Sequence, residues 1–448
     1  MHRKLNIGIV GTGIGGLSAA WLLSQRHRVT IFERENWTGG HANTVGVTLD
    51  GRKTPVDTGF IVYNEHNYPN LTELFRHFNV ETQPGDMSFG VSIDHGRLEY
   101  SSNFPRGLLA QPSNLLRPAF WSFLTDIARF YRTAPLDLAN GSLTGLTLGQ
   151  YLDRESYSAD FARDHLLPMG AAIWSAKPKD IVRYPAESFV RFFESHRLFN
   201  LRNRPRWRIV RGGSRAYVKK LTASFADRIW CEHSIIRIMR DGAIVTLEDV
   251  RGGRHEFDHV VIATHANEAL ELLAEPSAGE RDILGAIAYA KNKAFLHQDT
   301  CLMPKRKSVW ASWNYLSNRA TEAQSFPEVS YWLNRLQRLE TKDNVFLTLN
   351  PATPPRPERH LATFNYDHPI FDSAALGAQP ELWSLQGIHN TWFCGSYFGY
   401  GFHEDALQAG LAVGEALGGT TRPWSLPDPS SRLQIPKSAQ DGVLLAAQ

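Results

Sequence analysis

Cysteine is scarce in this chain, and after Gln25 there is no apolar run long enough to span a bilayer. The three cysteines, Cys231, Cys301 and Cys394, are too far apart for a zinc site and odd in number for a disulfide framework. Such sparing use fits a reducing compartment, so we expect a cytoplasmic protein without a metal centre. With 448 residues, 42% of them hydrophobic, the chain can bury the cores of two domains.

Excess charge is also absent, since the formal net charge is only +3. One stretch departs from this balance, because residues 195–226 contain basic side chains and no acid. The basic residues are Arg197, Arg202, Arg204, Arg206, Arg208, Arg211, Arg215, Lys219 and Lys220. A solvated surface with internal pairing would explain them, and so would a patch that meets anionic lipid headgroups on the inner face of the membrane. We expect no nucleic acid partner, because no nucleic-acid-binding motif accompanies the stretch.

The segment Leu5–Glu33 reads as a strand, a glycine turn, a helix and a second strand that ends in an acid. The spacing of Gly11, Gly13 and Gly16 is that of a dinucleotide-binding turn, in which a pyrophosphate lies at the helix N-terminus. Glu33 can accept hydrogen bonds from ribose hydroxyls and would repel a 2′-phosphate. The segment therefore predicts binding of FAD or NAD rather than NADP.

A secretory signal is the alternative interpretation of the N-terminus, because Arg3 and Lys4 precede an uncharged run. Signal peptides do not need this glycine spacing, and no small-residue cleavage site follows. We therefore favour the dinucleotide-binding turn.

Further along, periodicity predicts an amphipathic helix over Asn70–Phe78 and a hairpin from Met87–Ile93 and Arg97–Tyr100. Pro118 suits the first turn of a helix whose aromatic residues recur at helical spacing within residues 108–138. That helix fits either the buried core of a substrate domain or the wall of a lipid entrance that dips into a membrane.

Six segments together resemble the flavin amine-oxidase and phytoene-desaturase superfamily. They are GIVGTGIGGLSAAWLL, TGGH, VDTGF, VRGGSRAYVKKL, DHVVIAT and FCGSYFGYGFHEDALQAGLAVGEAL. In that superfamily the last segment covers the flavin, so the resemblance favours FAD over NAD. Because no cysteine or histidine lies in a clear attachment motif, we expect the FAD to be non-covalent.

A narrower resemblance is to bacterial flavoproteins encoded beside cyclopropane-fatty-acyl-phospholipid synthases. The segments LMPKRKSVWASWNY, YWLNRLQ, YDHPIFD and GYGFHEDAL carry it. It implies a lipid or other hydrophobic substrate and a lipid-modifying enzyme as a partner.

The superfamily resemblance also implies an α/β fold, in which a Rossmann-like FAD-binding domain is interleaved with an α+β substrate domain. We expect the FAD-binding domain to comprise residues 1–70, 205–270 and 388–420, and the substrate domain residues 71–204 and 271–387. Residues 421–448 should form an irregular C-terminal tail, because prolines recur there.

By position, the resemblance implies a set of cofactor-binding residues. They are Gly11, Gly13, Gly15, Gly16, Glu33, Arg34, Gly39, Gly40, His41, Thr58, Gly59, Phe60, Ile235, Gly395, His403, Glu404, Asp405 and Ala406. His41 stands where the superfamily has an arginine, which leaves the charge at that point open. Asp405 also suits the N-cap of the last helix, and Glu404 could bind either flavin or a neighbouring N–H group.

The catalytic candidates are His403, His297 and Lys293. His403 lies in a glycine-rich turn and could act as a general base. His297 follows apolar residues in a predicted strand, so a buried structural histidine is an equal interpretation. Lys293 lies roughly where many amine oxidases keep a lysine near the flavin, but a surface lysine would fit as well.

Three functions remain open. The first is an FAD-dependent oxidoreductase that desaturates, dehydrogenates or isomerises a lipid acyl chain, which the long apolar stretches at 108–138 and 189–199 favour. The second is an amine oxidase, for which Trp310, Trp313 and Tyr315 could form an aromatic cage. The third is a non-catalytic FAD-bound partner of a lipid-modifying enzyme.

Overall fold

A computed structural model describes residues 3–103, 105–174, 176–200, 205–318 and 328–436. The strands are β1 Asn6–Val10, β2 Arg28–Phe32, β3 Thr44–Leu49, β4 Arg52–Asp57, β5 Val62–Asn64, β6 Thr82–Pro84, β7 Phe89–Ile93, β8 Leu98–Ser101, β9 Trp207–Val210, β10 Ile229–Trp230, β11 Ile235–Asp241, β12 Ile244–Asp249, β13 Arg254–Phe257, β14 His259–Ile262, β15 Tyr289–His297, β16 Trp313–Ser317, β17 Glu328–Trp332, β18 Phe346–Leu349, β19 His360–Pro369 and β20 Thr391–Phe393. The helices are α1 Ile14–Ser24, α2 Pro69–His77, α3 Pro118–Ala139, α4 Leu148–Arg154, α5 Ala159–Phe161, α6 Leu167–Trp174, α7 Pro178–Val182, α8 Ala186–Ser195, α9 Arg215–Thr222, α10 Ala266–Leu272, α11 Ala278–Gly285, α12 Leu333–Leu336, α13 Ser373–Ala378 and α14 His403–Ala416. The predicted hairpin, the helix near Asn70 and the helix that begins at Pro118 are all present.

The first layer is a parallel sheet in the order β10-β2-β1-β14-β20. Its central strands are apolar and buried, as expected for a parallel sheet covered by helices. The last strand, β20, returns the C-terminal part of the chain to this sheet. Helix α14 then packs against α1 at Gly410, where a Cβ atom would lie 2.0 Å from the carbonyl oxygen of Gly15. The predicted Rossmann-like α/β arrangement is therefore confirmed.

The second layer is a mixed sheet in the order β19-β15-β18-β17-β16-β7-β8, in which only the β16–β7 pair is parallel. Helices α3 to α8 pack beside it. Aromatic rings dominate their shared core, where Phe130, Tyr151, Phe161, Phe189 and Phe193 are completely buried. This core encloses the space between the helices and the sheet.

The two hydrophobic cores cut across the boundaries expected for the two domains. Leu71, Leu74 and Phe75 of α2 belong to the core of the parallel sheet, although the sequence placed residue 71 onward in the substrate domain. Conversely, Leu49 and Val56 of the β3–β4 ribbon belong to the second core. Amphipathic elements show an apolar face in the sequence, but tertiary packing decides which core receives it.

The described part of the C-terminal tail, up to residue 436, contains no helix or strand but is anchored. Arg422 is buried, and its guanidinium pairs with Glu415 at 2.8 Å and donates to the Asn70 side chain at 2.9 Å. The Trp424 ring stacks on Trp21 with centroids 5.8 Å apart. These buried partners hold the irregular backbone of residues 421–436 against α1, α2 and α14. Within the described ranges, none of the helices has the length and apolar character that a membrane span requires.

Candidate active site

A cavity of about 1580 Å³ runs from the glycine turn of β1–α1 to the space between α3, α6, α8 and the mixed sheet. We call its first part the cofactor groove and its second part the chamber. The predicted residues that line the groove are Gly11, Gly13, Gly15, Glu33, Arg34, Gly39, Gly40, His41, Thr58, Gly59, Phe60, Ile235, Gly395, His403 and Ala406. Segments that are far apart in sequence therefore meet along one continuous wall.

The glycine turn has the geometry that a pyrophosphate needs. Gly11 has φ +102°, which favours glycine, and a Cβ atom at Gly13 would have no heavy atom within 4 Å, so the backbone there is open to the groove. A Cβ atom at Gly16 would instead lie 2.1 Å from the carbonyl oxygen of Gly11, so Gly16 allows helix and strand to approach. Gly16 does not line the cavity, and its role is packing rather than cofactor contact.

Glu33 ends β2 and faces the groove with a buried carboxylate. Its Oε2 atom accepts from the backbone N–H of Thr12 at 3.0 Å, and its Oε1 atom accepts from the backbone N–H of Glu35 at 3.0 Å. A carboxylate has further lone pairs available, so Glu33 can both shape the glycine turn and accept from a ribose. Arg34 lines the groove beside it and is paired with Glu268 at 2.6 Å.

The second glycine turn closes against the first. Gly39 and Gly40 have φ values of +122° and +56°, and a Cβ atom at Gly40 would lie 3.1 Å from the Cα atom of Gly13. Gly59 lies against the carbonyl oxygen of His41, where a Cβ atom would be 2.3 Å away. Glycine is thus required at three points where loops from different segments touch under the groove.

Histidines rather than an arginine occupy the middle of the groove. The ring centroid of His41 is 5.8 Å from that of His368 and 6.2 Å from that of His265. Burial lowers the pKa of His41 well below its ordinary value, and His368 and His265 lower it further. The His41 Nε2 atom is buried without a hydrogen-bond partner. Burial and the two neighbouring histidines therefore favour the neutral imidazole of His41 at the point where the superfamily has an arginine.

Of the predicted catalytic residues, His403 lies in the cavity wall. Its ring stacks on Phe60 with centroids 3.9 Å apart, and its Nε2 atom is 2.6 Å from the hydroxyl of Tyr217. Burial lowers the pKa of His403 to about 3, so its imidazole is neutral near pH 7. Phe60 and Tyr217 therefore hold the His403 side chain at the junction of the groove and the chamber.

The predictions for Glu404 and Asp405 as cofactor ligands are wrong, because neither lines the cavity. Glu404 accepts from the backbone N–H groups of Asn70 and Leu71 at 2.9 and 3.0 Å, and so ties α14 to the start of α2. Asp405 accepts from the backbone N–H of Phe402 at 2.7 Å and caps α14. Both carboxylates satisfy helix N-termini, although the N-cap of α14 is Phe402 and Asp405 acts from the third position of the helix.

His297 and Lys293 also lie outside the cavity wall, so their catalytic assignments are wrong. His297 is completely buried, with Nε2 2.7 Å from the hydroxyl of Thr348 and Nδ1 accepting from the backbone N–H of Asp299 at 3.0 Å. Lys293 alternates to the exposed face of β15. Of the proposed aromatic cage, only Trp313 lines the cavity, since Trp310 and Tyr315 pack into the hydrophobic cores.

The chamber wall is apolar and, within the described part of the chain, carries no charged side chain. The charged residues that line the cavity all belong to the groove, and they are Glu33, Arg34, Glu35, Glu268, Glu271 and Asp367. Leu124 and Ile127 of α3, Phe192 of α8 and Leu198 contribute to the chamber, so both long apolar stretches named from the sequence reach it. The aromatic and leucine residues of those stretches therefore line the chamber as well as pack into the hydrophobic core.

One polar group in the chamber was not predicted from the sequence. His165 lies in a π-helical turn, Ala162–Leu166, and its two ring nitrogens are each 3.1 Å from a tyrosine hydroxyl, those of Tyr100 and Tyr131. Tyr100 also donates to the carbonyl oxygen of Asp164 at 2.8 Å. All three side chains line the chamber. They form a connected polar group in the chamber wall, which Ser101, Ser102 and His196 also line.

Comparison with known proteins agrees with this geometry. Residues 14–333 match the model of the family described as flavin containing amine oxidoreductase. A Mycobacterium tuberculosis protein, provisionally assigned as the flavin-containing monoamine oxidase AofH, is 26% identical over 268 residues, which are 58% of this chain and 56% of that protein. The chain thus spans about half the length of the curated relatives it matches.

Solved structures show the same fold at low sequence identity. The CLA-producing fatty acid isomerase from P. acnes has a TM-score of 0.63 at 15% identity, covering 92% of this chain and 98% of that one. Putrescine oxidase bound to putrescine has a TM-score of 0.65 at 13% identity, covering 93% and 99%. Cyclohexylamine oxidase from Brevibacterium oxydans has a TM-score of 0.63 at 15% identity, covering 93% and 100%.

The family implies a flavin cofactor, and the residues present fit one. The open backbone at Gly13 suits a pyrophosphate, Glu33 suits a ribose, and the wall from Thr58 to Phe60 continues toward the chamber. The family match covers well over half of the chain, and it agrees with the groove and with the fold. The chain therefore belongs to the flavin containing amine oxidoreductase family.

Proposed function

We propose that this protein is an FAD-dependent oxidoreductase that acts on an uncharged lipid acyl chain, by desaturation, dehydrogenation or flavin-assisted isomerisation. The observation that carries the proposal is the chamber, which adjoins the cofactor groove and has an apolar wall without a charged side chain among the described residues. Burying an unpaired charge in such a wall costs several kcal/mol, on the order of 3–5. A neutral chain therefore fits better than a carboxylate or an ammonium group.

The flavin is proposed to be FAD, held without a covalent bond. The groove extends past the glycine turn to Glu33 and Ile235, which offers space for an adenosine beyond the pyrophosphate. None of the three cysteines lines the cavity, and burial raises the pKa of the Cys394 thiol to about 12. Heat or acid denaturation should release all of the flavin, and chromatography of the supernatant should identify it as FAD rather than FMN.

When bound, the flavin would supply the redox chemistry, and the protein would supply orientation and exclusion of water. Thr58 and Tyr366 join through hydroxyl groups 2.7 Å apart on the wall between groove and chamber. The His403 imidazole lies at the same junction, with its Nε2 atom 2.6 Å from the Tyr217 hydroxyl, and this neutral pair would help to orient the substrate. The apolar chamber would keep water away from the reacting carbon atoms.

Amine oxidation is the second candidate, and the family supports it. Trp313 and Tyr331 form an edge-to-face pair with centroids 4.8 Å apart, and both rings line the chamber, so an aromatic surface for a neutral amine is present. The fold does not choose between the candidates, because the solved structures that share it include a fatty acid isomerase and amine oxidases. A non-catalytic role beside a lipid-modifying enzyme is the third candidate.

A charge placed in the chamber wall separates the first two candidates. Ile127→Glu should weaken binding of a neutral acyl ester at least tenfold, because the new carboxylate would lie in the chamber, and it should not weaken binding of a cationic amine. Leu136→Glu is the matched control, since Leu136 lies on the same helix and is exposed. Binding is measured from the perturbation of the flavin spectrum. Tighter binding of amines than of esters by the unaltered protein would overturn the lipid proposal.

A further inference from the structure

The surface beside the chamber carries a cluster of exposed apolar side chains, which we call the apolar lip. It comprises Leu109, Leu115, Leu116 and Trp121, which are 46, 36, 87 and 53% exposed. They lie on the 3-10 turn Pro112–Leu116, the loop before it and the first turn of α3. Single exposed apolar residues are ordinary, but four within so short a segment indicate a surface that contacts an apolar partner.

The lip has a fixed shape. The indole N–H of Trp121 donates to the carbonyl oxygen of Leu115 at 2.9 Å, which holds the ring against the turn. The Arg117 guanidinium donates to the carbonyl oxygen of Arg97 at 3.3 Å, and Asn114 is buried beneath the turn. The apolar side chains therefore project from a supported turn.

Charge around the lip identifies the partner. From Ser101 to Thr125 the chain contains no acid, and its two charged side chains, Arg106 and Arg117, are both exposed. Apolar side chains flanked by arginines suit the surface of an anionic phospholipid bilayer. The apolar side chains enter the acyl region, and the arginines contact the headgroup phosphates.

The lip is continuous with the chamber. Leu108, next to Leu109, lines the chamber, and so does Leu124, which lies three residues after Trp121 on the same helix. We propose that the apolar lip docks on an anionic membrane and that the adjoining chamber draws its acyl chain from that bilayer. The second half of this inference rests on the proposed function, whereas docking itself does not.

The basic stretch predicted from the sequence is a weaker candidate for this contact. Arg202 and Arg204 lie outside the described residues. Arg208 is turned onto β6, where its guanidinium donates to the Thr82 hydroxyl at 2.9 Å. Arg197, Arg206, Arg211, Lys219 and Lys220 of the stretch are exposed, and Arg206 with Arg211 provides a comparison for the two arginines of the lip.

Vesicle sedimentation of the flavin-loaded protein tests docking. We expect binding to vesicles of phosphatidylcholine and phosphatidylglycerol, about 30-fold tighter than to phosphatidylcholine alone, because each arginine near an anionic surface contributes about fivefold. Leu116→Asp with Trp121→Ser should weaken binding at least tenfold, and Leu136→Asp on the same helix should not. Arg106→Gln with Arg117→Gln should remove the preference for anionic vesicles.

Three results would overturn the docking proposal. The first is that the protein does not bind vesicles at low salt. The second is that Leu136→Asp weakens vesicle binding as much as Leu116→Asp with Trp121→Ser. The third is that Arg206→Gln with Arg211→Gln removes the preference for anionic vesicles while Arg106→Gln with Arg117→Gln does not. Flavin content and the unfolding temperature of each variant confirm that it is folded. Sedimentation measures membrane binding without turnover, so it tests docking independently of lipid oxidation. Either proposal can therefore fail while the other holds.

Discussion

Gly13 offers the sharpest separation between cofactor binding and folding. A Cβ atom there would meet no protein atom within 4 Å, and the residue has φ −60° and ψ 169°, a conformation that valine adopts readily. Gly13→Val should therefore change the free energy of unfolding of the flavin-free protein by no more than about 1 kcal/mol. The added methyl groups would occupy the position of the pyrophosphate, so flavin affinity should fall at least about 100-fold, or about 2.7 kcal/mol.

Two further glycines provide the comparison. A Cβ atom at Gly16 would lie 2.1 Å from a backbone oxygen, so Gly16→Ala should destabilise the fold, by about 1–3 kcal/mol for overpacking. Gly46 is as open as Gly13 but lies outside the cavity, so Gly46→Val should leave flavin binding unchanged. Flavin content, titration of stripped protein with FAD and thermal unfolding are measured for all three. Normal flavin content in Gly13→Val, or a loss of stability equal to that of Gly16→Ala, would refute the reasoning.

Three other outcomes follow from buried charged and titratable groups. Glu33→Ala should weaken FAD binding by roughly 1.5–3 kcal/mol, less than Gly13→Val, and an unchanged affinity in the FAD titration would contradict the role of Glu33. Burial lowers the pKa of His368 from 6.5 to about 4, so the folded state resists protonation of this side chain. The free energy of unfolding should therefore fall as the pH drops from 6.5 to about 4. His368→Gln should flatten the matching decline in unfolding temperature. Arg422→Met should destabilise the protein by about 3–5 kcal/mol in denaturant unfolding because it leaves Glu415 unpaired, and a double variant with Glu415→Gln should recover much of that loss.

Residues whose role is local were predictable from the sequence. Gly11, Gly13 and Gly16 lie in one turn between a strand and a helix, as their spacing predicted, although Gly16 was also predicted as a cofactor residue and packs against the backbone instead. The order of the longer motifs likewise predicted the parallel sheet, because each motif forms a complete strand, turn or helix. At such positions the local sequence predicts both the backbone structure and the chemical role of the residue.

The orientation of a side chain on its element was harder to predict. Glu404 and Asp405 adjoin His403, yet the start of α14 directs their carboxylates to backbone N–H groups and leaves the imidazole in the cavity wall. Lys293 was placed near the flavin, but alternation along β15 turns it to the exposed face. A shift of one residue along a helix or strand points the side chain in a different direction. The sequence alone therefore does not determine which side chain faces the cavity.

Groups assembled from distant segments escaped prediction altogether. The Tyr100–His165–Tyr131 group joins β8, a π-helical turn and α3, and no spacing in the sequence connects them. The lowered pKa of His41 arises in the same way, from burial and from His368 and His265 on other elements. Tertiary packing creates both properties.

Anaerobic incubation of the flavin-loaded protein with neutral phospholipid tests the central claim most directly. The recovered acyl chains are analysed by mass spectrometry, and the flavin absorbance is followed in the same sample. We expect acyl chains that have lost two hydrogens together with bleaching of the flavin, or acyl chains of unchanged mass with a displaced double bond. Unchanged acyl chains, together with rapid bleaching by a primary amine or polyamine, would contradict it.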